Sequence, residues 1–168
     1  MPTVTGPAAV RDELWLQALL DDVWDRYFAD VPQDNIVRIE FGRRAKRQLG
    51  SIRLDRRDPT ISIITMNGLF RDPVIPEFIV TATLVHELTH YAHGFNSPLA
   101  RKHAHPHAGG VMRAEYAERG LESLYVRQKR WLKANWPAIV AANFAPPAPR
   151  RRNFRSQSKI TIRKPFWL

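Results

Sequence analysis

From Val10 to Phe28 apolar residues recur at three- and four-residue spacing. Leu16, Leu19, Leu20, Val23, Trp24 and Tyr27 fall on one side, and Asp12, Asp21, Asp22 and Asp25 on the other. That period predicts an amphipathic helix, ended by Pro32. The period then changes to two. In Ile36–Phe41, Val37, Ile39 and Phe41 alternate with Arg38 and Glu40, the pattern of a half-buried strand. Leu49–Asp55 predicts a second strand, after the basic run Arg43–Arg47. Thr60–Thr65 predicts a third, entered through the turn signal Asp58-Pro59. Three short strands in succession predict a small antiparallel meander.

Between Pro76, suited to a first helical position, and Gly94, suited to the residue just past a helix end, apolar side chains run almost all round. Phe78, Ile79, Val80, Ala82, Leu84, Val85, Leu88, Tyr91 and Ala92 leave no polar face. Such a helix is buried, so each polar residue on it needs a partner. A loop rich in His, Pro and Gly follows to about Gly110. A helix from Val111 to about Gly120 and another from Leu121 to about Asn135 come next, with Pro137 as an interruption. From Ala145 a Pro-Pro-Ala-Pro run and Arg150-Arg151-Arg152 mark a tail. The expectation is an α+β domain over 1–144 with a basic segment over 145–168: a leading helix, a three-stranded sheet, a buried helix and C-terminal helices.

A length of 168 residues, 44% hydrophobic and 25% charged, suits one globular domain and excludes wholesale disorder. No apolar run reaches the ~18 residues of a membrane span, and Met1–Val10 lacks the layout of a secretory signal. Cysteine is absent, which excludes disulfides, a thiolate nucleophile and a zinc ribbon. A reducing cytoplasm is the expected location. The net charge of +10 is unevenly placed. Met1–Glu122 carries 15 Lys+Arg against 16 Asp+Glu, whereas Ser123–Leu168 carries 11 Lys+Arg and no acid. A nearly neutral body with a basic C-terminal quarter is implied.

The chemistry concentrates on the buried helix. All six histidines lie between His86 and His107, two of them in His86-Glu87-Leu88-Thr89-His90. Side chains at i and i+4 are neighbours on one helix face, about 5–6 Å apart at Cβ, so both imidazoles can converge on one Zn²⁺. Glu87 projects beside the pair, placed to accept a proton from water activated by the metal. A catalytic zinc needs a third protein ligand; His103, His105, His107, Glu115 and Glu118 are candidates. His93 reads as a helix-end cation favoured by the dipole, and Glu115 and Glu118 as exposed acids near Arg113 and Arg119. Tyr91 and Tyr116 read as packing residues. Thr60–Thr65 is a candidate for the cleft-edge strand that pairs with an extended substrate.

These residues together resemble the SprT-like zinc metallopeptidases, the family that includes Spartan. The resemblance runs through the leading helix, Leu49-Gly50-Ser51-Ile52-Arg53, Thr60–Thr65, Leu84–His90, His105-Pro106-His107-Ala108-Gly109-Gly110 and Gly120-Leu121. It implies a compact zincin-like fold and a zinc endopeptidase with Glu87 as general base. In that family the third ligand is a His following Pro or Gly just before a helix, which favours His107 beside His86 and His90. Substrates are then proteins or peptides, including DNA-associated or DNA-crosslinked proteins. The C-terminal zinc ribbon of many members cannot form here without cysteine.

In the basic segment Arg150, Arg151, Arg152 and Arg155 lie near Phe154, Phe166 and Trp167, a combination suited to DNA through phosphate neutralisation and base stacking. The alternative for the segment is docking back onto the body through Ile160–Ile162 and Phe166-Trp167. The alternative for the whole chain is a nucleic-acid-binding or interaction module with a structural zinc and no proteolysis. The oligomeric state is not legible in the sequence.

Overall fold

The structure, a computed structural model, describes residues 10–144. The expected tail, with Arg150, Arg151, Arg152 and Arg155, lies outside the described residues. The chain forms helix α1 (Glu13–Tyr27), strands β1 (Ile36–Phe41), β2 (Gly50–Leu54) and β3 (Ile61–Met66), a 3-10 turn over Gly68–Arg71, and helices α2 (Glu77–Ala92), α3 (Val111–Glu118) and α4 (Glu122–Asn143). This is an α+β architecture. No helix among the described residues is long and apolar enough to cross a membrane.

Helix α1 starts at Asp12, whose carboxylate accepts a hydrogen bond from the Trp15 amide at 2.8 Å, satisfying one otherwise unpaired donor of the first turn. It buries Leu16, Leu19, Leu20 and Val23. Just before it, Arg11 is buried and donates to the carbonyls of Phe70 and Ile75 at 3.0 and 2.8 Å. That ties the start of α1 to the segment leading into α2.

The sheet is mixed, with strand order β1-β3-β2, which corrects the expected antiparallel meander. β1 pairs with β3 in parallel, Ile36 opposite Ile61 through Phe41 opposite Met66; β2 pairs with β3 antiparallel, Gly50 opposite Met66. Burial explains the order. β3 is buried at Ile61, Ser62, Ile63, Ile64 and Met66, whereas β1 and β2 alternate with exposed residues. The strand that is apolar on both faces takes the centre. Ile64 and Met66 face the main core with Val37, Ile39 and Ile52. Ile63, on the opposite face, lies in register with Arg38 and Arg53, whose aliphatic stems can cover it.

The β1–β2 connection does not turn tightly. It is held by Asn67, which donates to the carbonyls of Ala45 and Gln48 and accepts from the Ala45 amide. This loop then runs beside α4. The Trp136 indole donates to the Lys46 carbonyl at 2.8 Å and Arg44 to the Asn143 side chain. Those contacts flank Pro137 and explain a second correction: α4 continues through Pro137 to Asn143, instead of ending near Asn135. An interior proline costs roughly 3 kcal/mol; these bonds and the packing of Trp136, Ile139 and Phe144 on the core act against that cost.

Candidate metal centre

Helix α2 runs through the core, with Ile79, Val80, Leu84, Val85, Leu88 and Tyr91 fully buried. Its C-terminus is set by His93 and by Gly94 at φ +79°, where a Cβ would lie 2.5 Å from the Ala100 carbonyl oxygen. Only glycine accommodates both. The last two turns of α2 present His86, Glu87 and His90.

The Nε2 atoms of His86 and His90 are 3.1 Å apart. The loop after α2 returns His107 to the pair, its ring stacked on His86 with centroids 5.2 Å apart and edge-on to His90 at 4.8 Å. One ligand atom from each of the three lies within 4.8 Å of the others. His107 then leads through Gly109 and Gly110, both at positive φ, into α3.

This donor set fits a metal ion. Two nitrogens at ~2.0–2.1 Å from one tetrahedral ion lie roughly 3.3 Å apart, close to the observed His86–His90 separation. Burial and the neighbouring imidazoles pull His86 down to about 3; burial, then His107 and His93, pulls His90 down to about 4. Both rings are therefore neutral near pH 7, the form that binds metal. Among the described residues, Nδ1 of His90 is buried without a protein partner. His103 and His105 are outside the trio; His103 packs edge-on against His93, with centroids 4.6 Å apart.

Glu87 is 4% exposed, and burial pushes its carboxyl up to about 8. It faces β2 closely: a Cβ on Gly50 would lie 2.9 Å from Glu87 Oε1 and from Thr83 Cγ2. Gly50, Ser51 and Ile52 line a groove together with His86, Glu87 and His107. A connected cavity of about 440 Å³ opens beside it, lined by Arg47, Gln48, Leu49, Thr83, Glu87 and Gln128.

The strand at this cleft is β2. Thr60–Thr65 cannot be its edge, because β3 is paired on both sides. On β2 the Leu49 carbonyl and the Asp55 amide bond towards the β3 side, so alternation turns Gly50 and Ile52 outward. Asn96 already donates to the Ile52 carbonyl at 3.0 Å.

Two further expectations are corrected. His93 is 1% exposed rather than a solvated helix-end cation, and its Nε2 lies 2.8 Å from Glu115 Oε2. Glu115 is buried too, and accepts from Arg119 at 2.6 and 2.9 Å. Buried charge requires such partners; α3 packs against the end of α2 and brings these groups together. Glu118 is exposed, as expected. Tyr116 is fully buried and donates to the Ala82 carbonyl at 2.5 Å, and Tyr91 donates to Asn35, so both tyrosines serve packing.

Gln128 is the cleft residue that sequence reading missed. Its amide donates to Thr83 Oγ1 at 3.1 Å, while that hydroxyl donates to the Ile79 carbonyl at 2.8 Å. A signal existed: Leu121, Leu124, Tyr125, Trp131 and Leu132 mark the inward face of α4, and Gln128 occupies the same register. The chain matches no protein-family model, no curated protein and no solved structure.

Proposed function

We propose that the protein is a zinc-dependent metalloendopeptidase of the SprT-like, zincin type, acting on protein or peptide substrates. The observation that carries this reading is the convergence of His86, His90 and His107 beside a buried carboxylate, Glu87, against an edge strand. Neutral imidazole donors suit zinc among the divalent transition metals. Three protein ligands leave a coordination position open, as catalytic sites do, whereas structural zinc sites use four. This favours an enzyme over a module with a structural ion.

When bound, zinc supplies Lewis-acid polarisation of the scissile carbonyl and lowers the pKa of water. His86, His90 and His107 would hold it. One carboxylate oxygen of Glu87 would accept a proton from the attacking water and pass it on to the departing amine. Positive charge bound beside Glu87 would favour its carboxylate form over the protonated one. The outward amides of Gly50 and Ile52 offer an extended substrate strand pairing beside the carboxylate. The adjoining cavity receives a substrate side chain.

Zinc-loaded wild type and Glu87→Gln, incubated with an unfolded protein substrate, test the reading. Wild type should cleave, and Glu87→Gln should lose about 10²–10⁴ in rate while retaining one equivalent of zinc. Cleavage unchanged in Glu87→Gln, or absent in zinc-loaded wild type across varied unfolded substrates, refutes it. Cysteine-free composition suits a cytoplasmic setting, and DNA-associated proteins are the substrate class that the resemblance suggests.

A further inference from the structure

We propose that β1 is a self-association edge, which pairs antiparallel with β1 of a second copy of this chain about a twofold axis at Ile39. In the sheet order β1-β3-β2, β1 has a neighbour on one side only. Its pairing fixes which groups face outward. The Gly42 amide donates to the Met66 carbonyl at 2.7 Å, and the parallel register sets Glu40 opposite Thr65. The amide and carbonyl of one residue point to the same side and alternate along a strand, so those of Val37, Ile39 and Phe41 point away from β3. Among the described residues, no backbone hydrogen bond reaches these outward groups. An edge left open in this way is a template for another strand.

The strand Ile36-Val37-Arg38-Ile39-Glu40-Phe41 is complementary to itself in one register. With Ile39 opposite Ile39 of the second copy, Val37 falls opposite Phe41 and Arg38 opposite Glu40. Val37, Ile39 and Phe41 then form hydrogen-bonded pairs, each exchanging both of its N–H···O bonds. Arg38 and Glu40 fall in the alternate, closer pairs, with Cα atoms about 4.5 Å apart, so a guanidinium meets a carboxylate on each side of the axis. Opposite charges directly across a strand pair stabilise it, and like charges there destabilise it. A slip of two residues sets Arg38 opposite itself or Glu40 opposite itself, so charge selects this register. Both side chains are available. Arg38 is exposed and forms no ion pair among the described residues. Glu40 is half exposed, with loose contacts to Arg53 at 3.7 Å and Thr65 Oγ1 at 3.3 Å that leave its carboxylate free to take a further donor. Ile36, 59% exposed, comes opposite Gly42 of the second copy, which has no side chain to block it.

The other outer strand does not offer this match. β2 lines the metal cleft with Gly50, Ser51 and Ile52, and Asn96 donates to the Ile52 carbonyl. Gly50–Leu54 carries a single charge, Arg53, and no acid to answer it. Pairing at β1 leaves the cleft edge open. The joined sheet runs β2-β3-β1-β1-β3-β2, so the two metal clefts lie at its opposite outer edges, on the order of 24 Å apart at strand spacings of ~4.8 Å. The twofold axis carries one cleft into the other. One strand pair is small beside the ~1,600 Å² of a standard stable complex, so the association is reversible and depends on concentration. It does not depend on the metal or on the proposed reaction.

Sedimentation velocity of the full chain tests this, from about 5 to about 500 µM, the range that suits a small interface. Wild type should pass from monomer to dimer across it. Arg38→Glu and Glu40→Arg each set like charges opposite one another on both sides of the axis, and each should dimerise at least about tenfold more weakly. Mixed together, the two variants are complementary, since one strand carries two acids and the other two bases. The mixture should form a heterodimer, and Arg38→Glu with Glu40→Arg in one chain should restore self-association. Both positions are exposed, and unchanged circular dichroism spectra confirm that each variant folds. Hydrogen exchange reads the register: the amides of Val37, Ile39 and Phe41 should gain protection as protein concentration rises, and those of Gly50 and Ile52 should not. The proposal is overturned if wild type stays monomeric, if both single variants dimerise as wild type does, or if their mixture stays monomeric. It is equally overturned if protection of the β1 amides is independent of concentration and disappears on removal of residues 145–168, which would assign the edge to that segment.

Discussion

His93 Nε2 contacts Glu115 Oε2 at 2.8 Å in the interior, one helical turn beyond His90 and at the junction of α2 with α3. The same carboxylate holds Arg119, which reaches Asp30 and the Tyr27 carbonyl. Glu115 therefore joins the end of α1, the end of α2 and the helix that follows His107. Burial works against its ionisation, but the bonds from His93 and Arg119 outweigh burial and hold its carboxyl below the ordinary value.

Replacing Glu115 by Ala strands Arg119 and His93 inside the protein and should cost roughly 3–5 kcal/mol, measured by urea unfolding. The sign with pH follows from the depressed pKa. Its stabilisation is present above the unfolded-state value and is lost as pH falls through the folded one. The gap between wild type and Glu115→Gln should therefore shrink in acid. A gap constant from pH 7 to pH 3 would show that the carboxylate charge is not what stabilises the junction.

Glu87 gives the opposite sign. Burial raises its carboxyl from 4.5 to about 8, so in metal-free protein the folded state keeps a proton that the unfolded chain releases. Stability should decline as pH rises from about 4.5 to about 8, by up to ~1.4 kcal/mol per pH unit. Glutamine is neutral throughout. With chelator present, Glu87→Gln should melt above wild type at pH 8, and the two should converge near pH 4.5. A variant less stable by the same margin at both pH values contradicts this.

The third ligand separates three histidines of one loop. Outer-shell substitutions typically weaken metal sites by about 10–100-fold, so loss of His107 itself should exceed ~100-fold in zinc affinity, read by competition with a chromophoric chelator. His105→Ala should leave affinity within about threefold. His103→Ala should lower thermal stability instead, because its ring packs on His93. Equal losses from His103→Ala and His107→Ala would contradict the arrangement.

Much of this was legible because local signals agreed. Pro76 and Gly94 bracket α2, and the i, i+4 spacing of His86 and His90 places both on one face whatever the surrounding fold. His107 was singled out only by the resemblance, since spacing alone treats His103, His105 and His107 alike. The sheet order was not legible: the lateral position of a strand depends on which faces become covered, and the doubly buried β3 took the centre. The partnership of His93 with Glu115 was hidden for a related reason. Twenty-two positions separate them, and each reads locally as a solvated charge. Pro137 misled because propensity says nothing of Trp136 and Asn143, which anchor the helix on either side.

Gly50 offers the sharpest test of how the edge strand and the carboxylate share space. A methyl group there would meet Glu87 Oε1 and Thr83 Cγ2 at 2.9 Å and Glu87 Cγ at 3.2 Å, closer than carbon and oxygen pack. Thr83 is held through its bonds to Ile79 and Gln128, so the overlap is relieved by displacing the Glu87 side chain and moving β2 away from α2 at Thr83. Misplacing a catalytic group by about 1 Å can cost on the order of 10²-fold. On the proposed peptidase reading, Gly50→Ala should therefore lower kcat/KM by about 10–100-fold, chiefly through kcat. Zinc affinity should stay unchanged, because His86 and His90 are set by the α2 backbone and His107 by the loop before α3. Gly50→Val, which also narrows the adjoining cavity, should add a rise in KM. Wild-type kcat/KM in Gly50→Ala would mean that Glu87 works equally well from a displaced position, and that the close approach of β2 serves packing alone.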